Sequence, residues 1–208
     1  AALLLCPDER SRETLLAEGV TGRIEVVGDV MRDALDLFLP IAQRTPAPYR
    51  RPYAVLTLHR AANTEPDQLR RIISEVNATG WTFVFPVHPR TRRVLDESGI
   101  RPAPTVQPIG PLGYLEMLAL VAGASRLVTD SGGLQKEAYW LGIPCVTLRP
   151  STEWVDTVRN GANTLVDPAD PVKLGEALTA AQFPPGAPPL YGDGHAAERV
   201  AASLADRG

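Results

Sequence analysis

The sequence predicts an α/β protein built on a doubly wound parallel sheet. Short apolar runs recur along most of the chain, and segments with helical periodicity separate them. A strand that is apolar on both faces belongs in a parallel sheet that helices cover on two sides. Ligands of such folds bind beyond the carboxyl ends of the strands. Motifs with polar chemistry are therefore expected directly after strands.

The predicted strands and helices alternate from one end of the chain to the other. In order, the strands are Leu-Leu-Leu-Cys at 3–6, Ile-Glu-Val-Val at 24–27, Ala-Val-Leu-Thr-Leu at 54–58, Thr-Phe-Val-Phe-Pro-Val at 82–87, Arg-Leu-Val-Thr at 126–129, Cys-Val-Thr-Leu at 145–148 and Thr-Leu-Val at 164–166. Helical periodicity is found at 11–18, 30–44, 66–78, 90–98, 113–122, 134–141, 151–160, 171–181 and 195–205. Gly142 and Pro144 close the helix at 134–141.

Composition gives no reason to expect nucleic acid or a membrane as a partner. Of 208 residues, 44% are hydrophobic and 22% charged, which is ordinary for a globular protein, and the net charge of −3 favours neither nucleic acid nor an anionic membrane. No apolar run approaches the roughly 20 residues that span a bilayer. Cys6 and Cys145 lie far apart in apolar settings, which predicts buried thiols. A cytoplasmic location is expected.

The chain is predicted to consist of a domain fragment, a main domain and a last helix. Residues 45–52 are rich in proline and have the composition of a linker. Residues 1–46 offer too little for a domain and are interpreted as the tail of an N-terminal domain whose beginning is absent. Residues 47–190 form the main domain. After a Pro/Gly stretch, residues 191–208 supply a helix expected to pack back toward the N-terminal domain.

The most informative motif is Ser131-Gly132-Gly133, between the strand at 126–129 and a helix. Glycines at this turn let the backbone approach a ligand, and the free N–H groups of a first helical turn suit an anion. Glu137, about one turn further on, is placed to accept hydrogen bonds from two ribose hydroxyls. The alternative is an ordinary N-cap serine with flexible glycines.

Three further clusters follow strands. His59-Arg60 offers a proton donor and a fixed cation, although exposed His and Arg at strand ends are common. His88 stands between prolines that stiffen the turn around it, and the alternative is a rigid loop with a hydrogen-bonded histidine and no ligand. Arg149 precedes Ser151-Thr152-Glu153-Trp154, which alternatively is a capping segment with Trp154 in the core. Their common position at one sheet edge makes chance grouping the weaker explanation.

Together these motifs resemble the non-hydrolysing UDP-N-acetylglucosamine 2-epimerases. The resemblance rests on His59-Arg60…Asn63-Thr64, Pro86-Val87-His88-Pro89, Pro111-Leu112-Gly113-Tyr114, the stretch 129–138, Leu148-Arg149…Thr152-Glu153-Trp154 and 191–199, in family order. It implies Rossmann-like domains in a GT-B arrangement, of which this chain holds mainly the C-terminal, UDP-binding one. It implies interconversion of UDP-N-acetylglucosamine and UDP-N-acetylmannosamine by UDP elimination and re-addition, without cofactor or metal. The expected partners are the UDP-sugar and, with the N-terminal domain present, a second copy in a homodimer.

The resemblance also implies a role for each motif. His59 would assist departure of the diphosphate as the catalytic residue, and His88 would contact a second, activating UDP-N-acetylglucosamine. Residues 111–117 would form the uracil pocket. The residues expected to bind substrate are Arg60, Leu112, Met117, Ser131, Gly132, Gly133, Glu137 and Arg149.

Two departures from the family pattern limit these expectations. Trp154 stands where many bacterial members have a phosphate-binding arginine, a variant similar to the archaeal branch. The carboxylates proposed to move the C2 proton precede anything that matches Ala1. The chain is therefore expected to be part of a longer enzyme, and the alternatives are a subunit that another chain completes or a non-catalytic UDP-binding fragment. A GT-B glycosyltransferase and a hydrolysing epimerase are alternative enzymes.

Overall fold

A computed structural model describes residues 2–45 and 47–205. The chain divides into two compact units, one running to Ile41 and resuming at Ala187, the other comprising Ala42–Gly186. Ala1, Pro46 and residues 206–208, which the predicted linker and domain segments include, lie outside the described residues. No helix within the described ranges has the length and apolar character to cross a membrane.

The elements alternate as strands and helices in both units. The strands are β1 Leu3–Cys6, β2 Arg23–Val26, β3 Ala54–Thr57, β4 Phe83–Pro86, β5 Val106–Ile109, β6 Arg126–Thr129, β7 Cys145–Leu148 and β8 Asn163–Val166. The α-helices are α1 Glu9–Ala17, α2 Val30–Ala42, α3 Pro66–Ala78, α4 Pro89–Glu97, α5 Tyr114–Gly123, α6 Gly132–Trp140, α7 Val155–Arg159, α8 Leu174–Ala180 and α9 Ala196–Ala205. Short 3₁₀ helices cover Ala61–Thr64 and Pro171–Lys173.

The larger unit is a six-stranded parallel sheet in the order β5-β4-β3-β6-β7-β8. Neighbouring residues of one strand belong to different apolar clusters: Leu56 packs with residues of α3, α4 and α8, and Val55 with residues of α5 and α6. Helices thus cover both faces, as a parallel sheet requires. The predicted doubly wound α/β fold is confirmed. The chain order runs from β3 through β4 to β5 on one side of the sheet and from β6 through β7 to β8 on the other. In such folds a ligand binds at the carboxyl ends of the two strands where the order reverses, which here are β3 and β6.

Three predicted features differ from the structure in ways that matter below. β5 was not predicted, because Gln107 and Pro108 interrupt its apolar pattern; it is an edge strand, where an exposed Gln and a Pro are tolerated. The predicted helix at 134–141 begins earlier, at Gly132, so both glycines belong to its first turn. The helix predicted at 151–160 shortens to Val155–Arg159, which leaves 149–154 as a connecting segment.

The smaller unit pairs β1 with β2 in parallel and adds α1, α2 and α9. Both Oδ atoms of Asp33 accept backbone N–H groups at the start of α9, from Ala196 at 3.0 Å and Ala197 at 2.5 Å. Arg199 pairs with Asp193 at 2.6 Å. Cys6 in this unit and Cys145 in the other are buried and free, which confirms the prediction of buried thiols.

Gly192 lies close to the backbone of Gly28 and Asp29 in the smaller unit. Its φ is +112°, and a Cβ atom there would lie 3.1 Å from Gly28 Cα and 3.2 Å from Asp29 N. We expect Gly192→Ala to lower the free energy of unfolding by about 2–4 kcal/mol, since an alanine there adds both backbone strain and a clash with backbone atoms.

The matched control is Gly186→Ala, because Gly186 also has positive φ, +70°, but a Cβ atom there meets nothing within 4 Å. That variant should lose only about 1 kcal/mol. Urea denaturation of both variants measures the difference, and equal losses would show that the contact with Gly28 carries no cost.

Candidate functional site

The polar motifs of the larger unit meet at the carboxyl edge of its sheet. His59 follows β3, His88 follows β4, Ser131 follows β6 and Arg149 follows β7, and these strands are neighbours in one parallel sheet. A cavity of about 200 Å³ opens at this edge. Its lining comprises Thr57, Leu58, His59, Pro86, His88, Pro111, Leu112, Met117, Ser131 and Leu134.

Asp130 connects the β3 and β6 motifs. The residue is fully buried, and its carboxylate accepts backbone N–H groups from His59 at 3.0 Å and Arg60 at 2.9 Å, together with the Asn63 amide at 3.2 Å. The Asn63 amide also donates to the Leu148 carbonyl at 3.1 Å, which ties this group to the end of β7. A buried carboxylate with so many donors is a fixed anion at the centre of the site.

The imidazole of His59 completes the set of groups around Asp130. His59 Nδ1 lies 2.7 Å from Asp130 Oδ1, and the side chain is 42% exposed. The hydrogen bond to Asp130 raises the pKa of His59. Burial alone would raise the pKa of Asp130, but the bonds from His59 and Arg60 outweigh it and leave that pKa below its usual value. Because Nδ1 is bound to Asp130, Nε2 is the nitrogen left to act on a ligand in the cavity.

The first turn of α6 begins at the same edge. Ser131 is the N-cap, and its backbone N–H donates to Thr129 Oγ1 at 3.0 Å while its Oγ accepts from Leu134 N at a long 3.4 Å. Gly132 and Gly133 are the first helical residues, where N–H groups have no partner within the helix. Ser131 is thus an N-cap serine, which was the alternative interpretation of the motif, and it also lines the cavity.

A buried amide behind the turn fixes its position. Gln135 donates from Nε2 to the Ser131 carbonyl at 3.0 Å, and its Oε1 accepts from Thr152 at 2.7 Å and Asn163 at 3.1 Å. This network joins α6 to the segment after β7 and to β8. The sequence motif contained Gln135, but nothing in it indicated partners so far along the chain.

Glu137 lies on α6, is not among the residues that line the cavity, and is 7% exposed. Burial raises its pKa, against the lowering effects of a hydrogen bond from Tyr114 and of Lys136. Burial, the charge of Glu137 and that same hydrogen bond raise the pKa of Tyr114 to about 12. The predicted ribose-binding carboxylate is therefore already hydrogen-bonded to a tyrosine that the sequence did not single out for this role.

His88 and Arg60 adopt different positions at the same edge. His88 Nδ1 accepts the Arg90 N–H at 3.2 Å as the N-cap of α4, and its ring centre lies 6.0 Å from that of His59. Arg60 turns its Nε to the Asp130 carbonyl at 2.9 Å. Of the predicted substrate-binding residues, Leu112, Met117 and Ser131 line the cavity. The others, which are Arg60, Gly132, Gly133, Glu137 and Arg149, are not among its lining residues.

Comparison with known proteins places these motifs in one family. The model of the UDP-N-acetylglucosamine 2-epimerase family matches residues 1–205. The chain belongs to this family. The resemblance predicted from the motifs is confirmed, and the family is one of isomerases, as expected.

Relatives of this chain are both bacterial and archaeal. The chain is 40% identical, over 98% of its length and 59% of the relative's, to UDP-2,3-diacetamido-2,3-dideoxy-D-glucuronate 2-epimerase of Pseudomonas aeruginosa. It is 40% identical to a UDP-N-acetylglucosamine 2-epimerase homolog of Methanococcus maripaludis, over 79% of this chain and 49% of that protein.

The fold of this chain is also similar to that of a solved epimerase. The structure of the UDP-N-acetylglucosamine 2-epimerase of Methanocaldococcus jannaschii, in complex with UDP-N-acetylglucosamine and UDP, superposes with a TM-score of 0.86 at 32% identity. The superposition covers 99% of this chain and 61% of the archaeal enzyme's chain. The chain thus spans about half to three fifths of these relatives.

Proposed function

We propose that this chain supplies the UDP-binding part of an enzyme that interconverts UDP-N-acetylglucosamine and UDP-N-acetylmannosamine by elimination and re-addition of UDP. One observation carries the proposal: His59 and the N-cap Ser131 line the same cavity at the carboxyl edge of the sheet, and buried Asp130 holds His59 there. The family match over residues 1–205 supports it.

In this proposal the ligand's diphosphate lies between the start of α6 and His59. Ser131, Gly132 and Gly133 offer the first-turn N–H groups, and the raised pKa of His59 favours a protonated ring beside the phosphates. Breaking the anomeric bond leaves negative charge on the departing UDP, and donors fixed in advance lower the barrier to that step. His59 Nε2 is the proposed donor to the leaving diphosphate.

The uridine is proposed to extend from the diphosphate toward α5. Leu112 and Met117 supply apolar surface for the uracil, and Glu137 accepts hydrogen bonds from the ribose hydroxyls. Arg60 is proposed to contribute a fixed positive charge beside the phosphates, since its backbone and Nε are both held by Asp130. The carboxylates that move the C2 proton are proposed to lie in the part of the relatives' length that this chain does not span.

His88 is proposed to contact a second, activating UDP-N-acetylglucosamine. Its ring lines the same cavity as His59 with ring centres 6.0 Å apart, so a molecule bound there is close to the diphosphate site. The homodimer and the cytoplasmic location expected from the sequence are further proposals; light scattering of a chain that includes the N-terminal domain tests the first.

A second candidate substrate is UDP-2,3-diacetamido-2,3-dideoxy-D-glucuronate. It is favoured by the 40% identity, over 98% of this chain, to the epimerase named for that sugar. Both sugars carry UDP, so the residues proposed to hold UDP serve either one. The choice between them lies with groups that contact the sugar ring.

The test follows the C2 proton. The chain is incubated with each UDP-sugar in deuterated water, and C2 is observed by NMR. Deuterium at C2 together with the epimeric product supports epimerisation, and free sugar indicates hydrolysis. UDP binding without exchange is the result expected of a chain that supplies only the UDP-binding part, while absence of UDP binding contradicts the proposal.

A further inference from the structure

Glu153 places a carboxylate at the start of α6. A Cβ atom added to Gly132 would lie 2.9 Å from Glu153 Oε1, so this oxygen lies against the first residue of the helix. The N-terminus of a helix attracts anions because its N–H dipoles point outward. The position at which the proposed function puts the diphosphate therefore already has an anionic neighbour from the chain itself.

Arg149 pairs with this carboxylate. Arg149 Nη1 lies 2.9 Å from Glu153 Oε2, and the side chains are 14% and 46% exposed. The two are close, yet their alignment is not that of a hydrogen bond, because Nη1 is buried without an acceptor in hydrogen-bond geometry. A cation buried to this degree needs an anion beside it. A half-exposed carboxylate is an exchangeable partner, since water solvates it when it leaves.

The residues on either side of Glu153 are held in place. Thr152 donates its hydroxyl to Gln135 at 2.7 Å, and the Trp154 ring lies 4.0 Å from Lys136 Nζ in a cation–π contact. Trp154 Nε1 is also within 3.7 Å of the Cβ position at Gly132. Movement of Glu153 away from α6 therefore requires rotation of its own side chain and no shift of the segment.

We propose that Glu153 is a resident anion that the diphosphate displaces, and that Arg149 passes from Glu153 to the diphosphate in this exchange. The inference rests on the proposed function for the location of the diphosphate. It gives Arg149 a route to the phosphate. Glu153 opposes the binding of any anion and thereby restricts the site to ligands of higher negative charge than a carboxylate.

The test is titration calorimetry of UDP and of inorganic pyrophosphate with the wild type, Glu153→Gln and Asp156→Asn. Asp156→Asn removes the same charge three residues further on, from a side chain that pairs with Arg159 at 3.4 Å. We expect Glu153→Gln to bind both probes roughly 3- to 10-fold more tightly, the scale of a charge at a helix terminus. Its melting temperature without ligand should fall by about 1–2 °C, and Asp156→Asn should bind like the wild type.

The other possible results distinguish failure of the exchange from failure of the proposed UDP site. Glu153→Gln binding both probes no more tightly than the wild type overturns the exchange, while wild-type UDP binding in the same titration leaves the proposed function standing. Tighter pyrophosphate binding by Glu153→Gln with no UDP binding by any protein supports the exchange and refutes the UDP site. Failure of all three proteins to bind either probe refutes both.

Discussion

Asp130→Asn is expected to lower the free energy of unfolding by about 2–4 kcal/mol. The carboxylate is fully buried and accepts from two backbone N–H groups, the Asn63 amide and His59 Nδ1. An asparagine of the same shape keeps one acceptor oxygen but turns an NH₂ group toward these donors. Urea denaturation measures the loss, and a free energy of unfolding equal to that of the wild type would show that these contacts do not stabilise the fold.

His59→Gln is the matched control for this substitution. It removes the imidazole but leaves the backbone N–H groups of residues 59 and 60 on Asp130. Because the His59 side chain is partly exposed, we expect this variant to lose less than half of what Asp130→Asn loses. Comparable losses in the two variants would place the stabilisation in the side-chain pair and not in the backbone bonds.

The His59–Asp130 pair is expected to make the stability of the fold depend on pH. The pKa of His59 is raised in the folded chain, so its contribution is complete below its unfolded pKa of about 6.5 and is lost as pH rises through the folded value. The pKa of Asp130 is lowered, so its contribution is present above about 3.9 and is lost as pH falls through the folded value. Melting temperature measured across pH should decline on both sides for the wild type, and Asp130→Asn should flatten both limbs.

Binding of UDP should follow the charge of His59. The wild type is expected to bind UDP more weakly as pH rises through the raised pKa of His59, since the proposed cation beside the diphosphate is lost. In Asp130→Asn that decline should shift to lower pH, because the hydrogen bond that raises the His59 pKa is gone. Titrations at several pH values separate this shift from simple loss of folded protein, which lowers the bound fraction at every pH.

The inner strands could be predicted from the sequence because burial on both faces makes them largely apolar. Every residue of β3 and β7 is buried, and both strands were predicted with the correct beginning. β5 was missed since, at the sheet edge, Gln107 and Pro108 face solvent and break the pattern. The start of α6 was placed late because glycines carry no apolar signal, although the helix includes them.

The location of the site followed from topology, but its contacts did not. Residues after parallel strands must share one edge, which is why His59, His88 and Ser131 were expected together and line one cavity. Asp130 is 71 positions from His59 along the chain, and no local pattern encodes that pair. An aspartate directly after a buried strand was the available signal. The Tyr114 bond to Glu137 and the approach of Glu153 to Gly132 likewise depend on how helices pack and where connecting segments run.

Glu137→Ala is expected to weaken UDP binding by roughly 1–3 kcal/mol, the scale of lost hydrogen bonds to a charged group. Glu137 is 7% exposed, so its carboxylate is poorly solvated and would gain from the two hydroxyl donors of the proposed ribose. The raised pKa of Glu137 adds a pH effect: on acidification the wild type should lose this contribution at a higher pH than an ordinary glutamate would. Titration calorimetry of UDP measures both.

A ligand that lacks the ribose hydroxyls is the control that shows whether the lost binding free energy comes from the ribose. The wild type should bind 2′,3′-dideoxyuridine diphosphate more weakly than UDP by about the same 1–3 kcal/mol, whereas Glu137→Ala should bind the two equally. Tyr114→Phe, which removes the hydroxyl bonded to Glu137 but keeps the carboxylate, should still prefer UDP. A preference for UDP that survives in Glu137→Ala would refute the ribose assignment, because general damage to the site weakens both ligands alike.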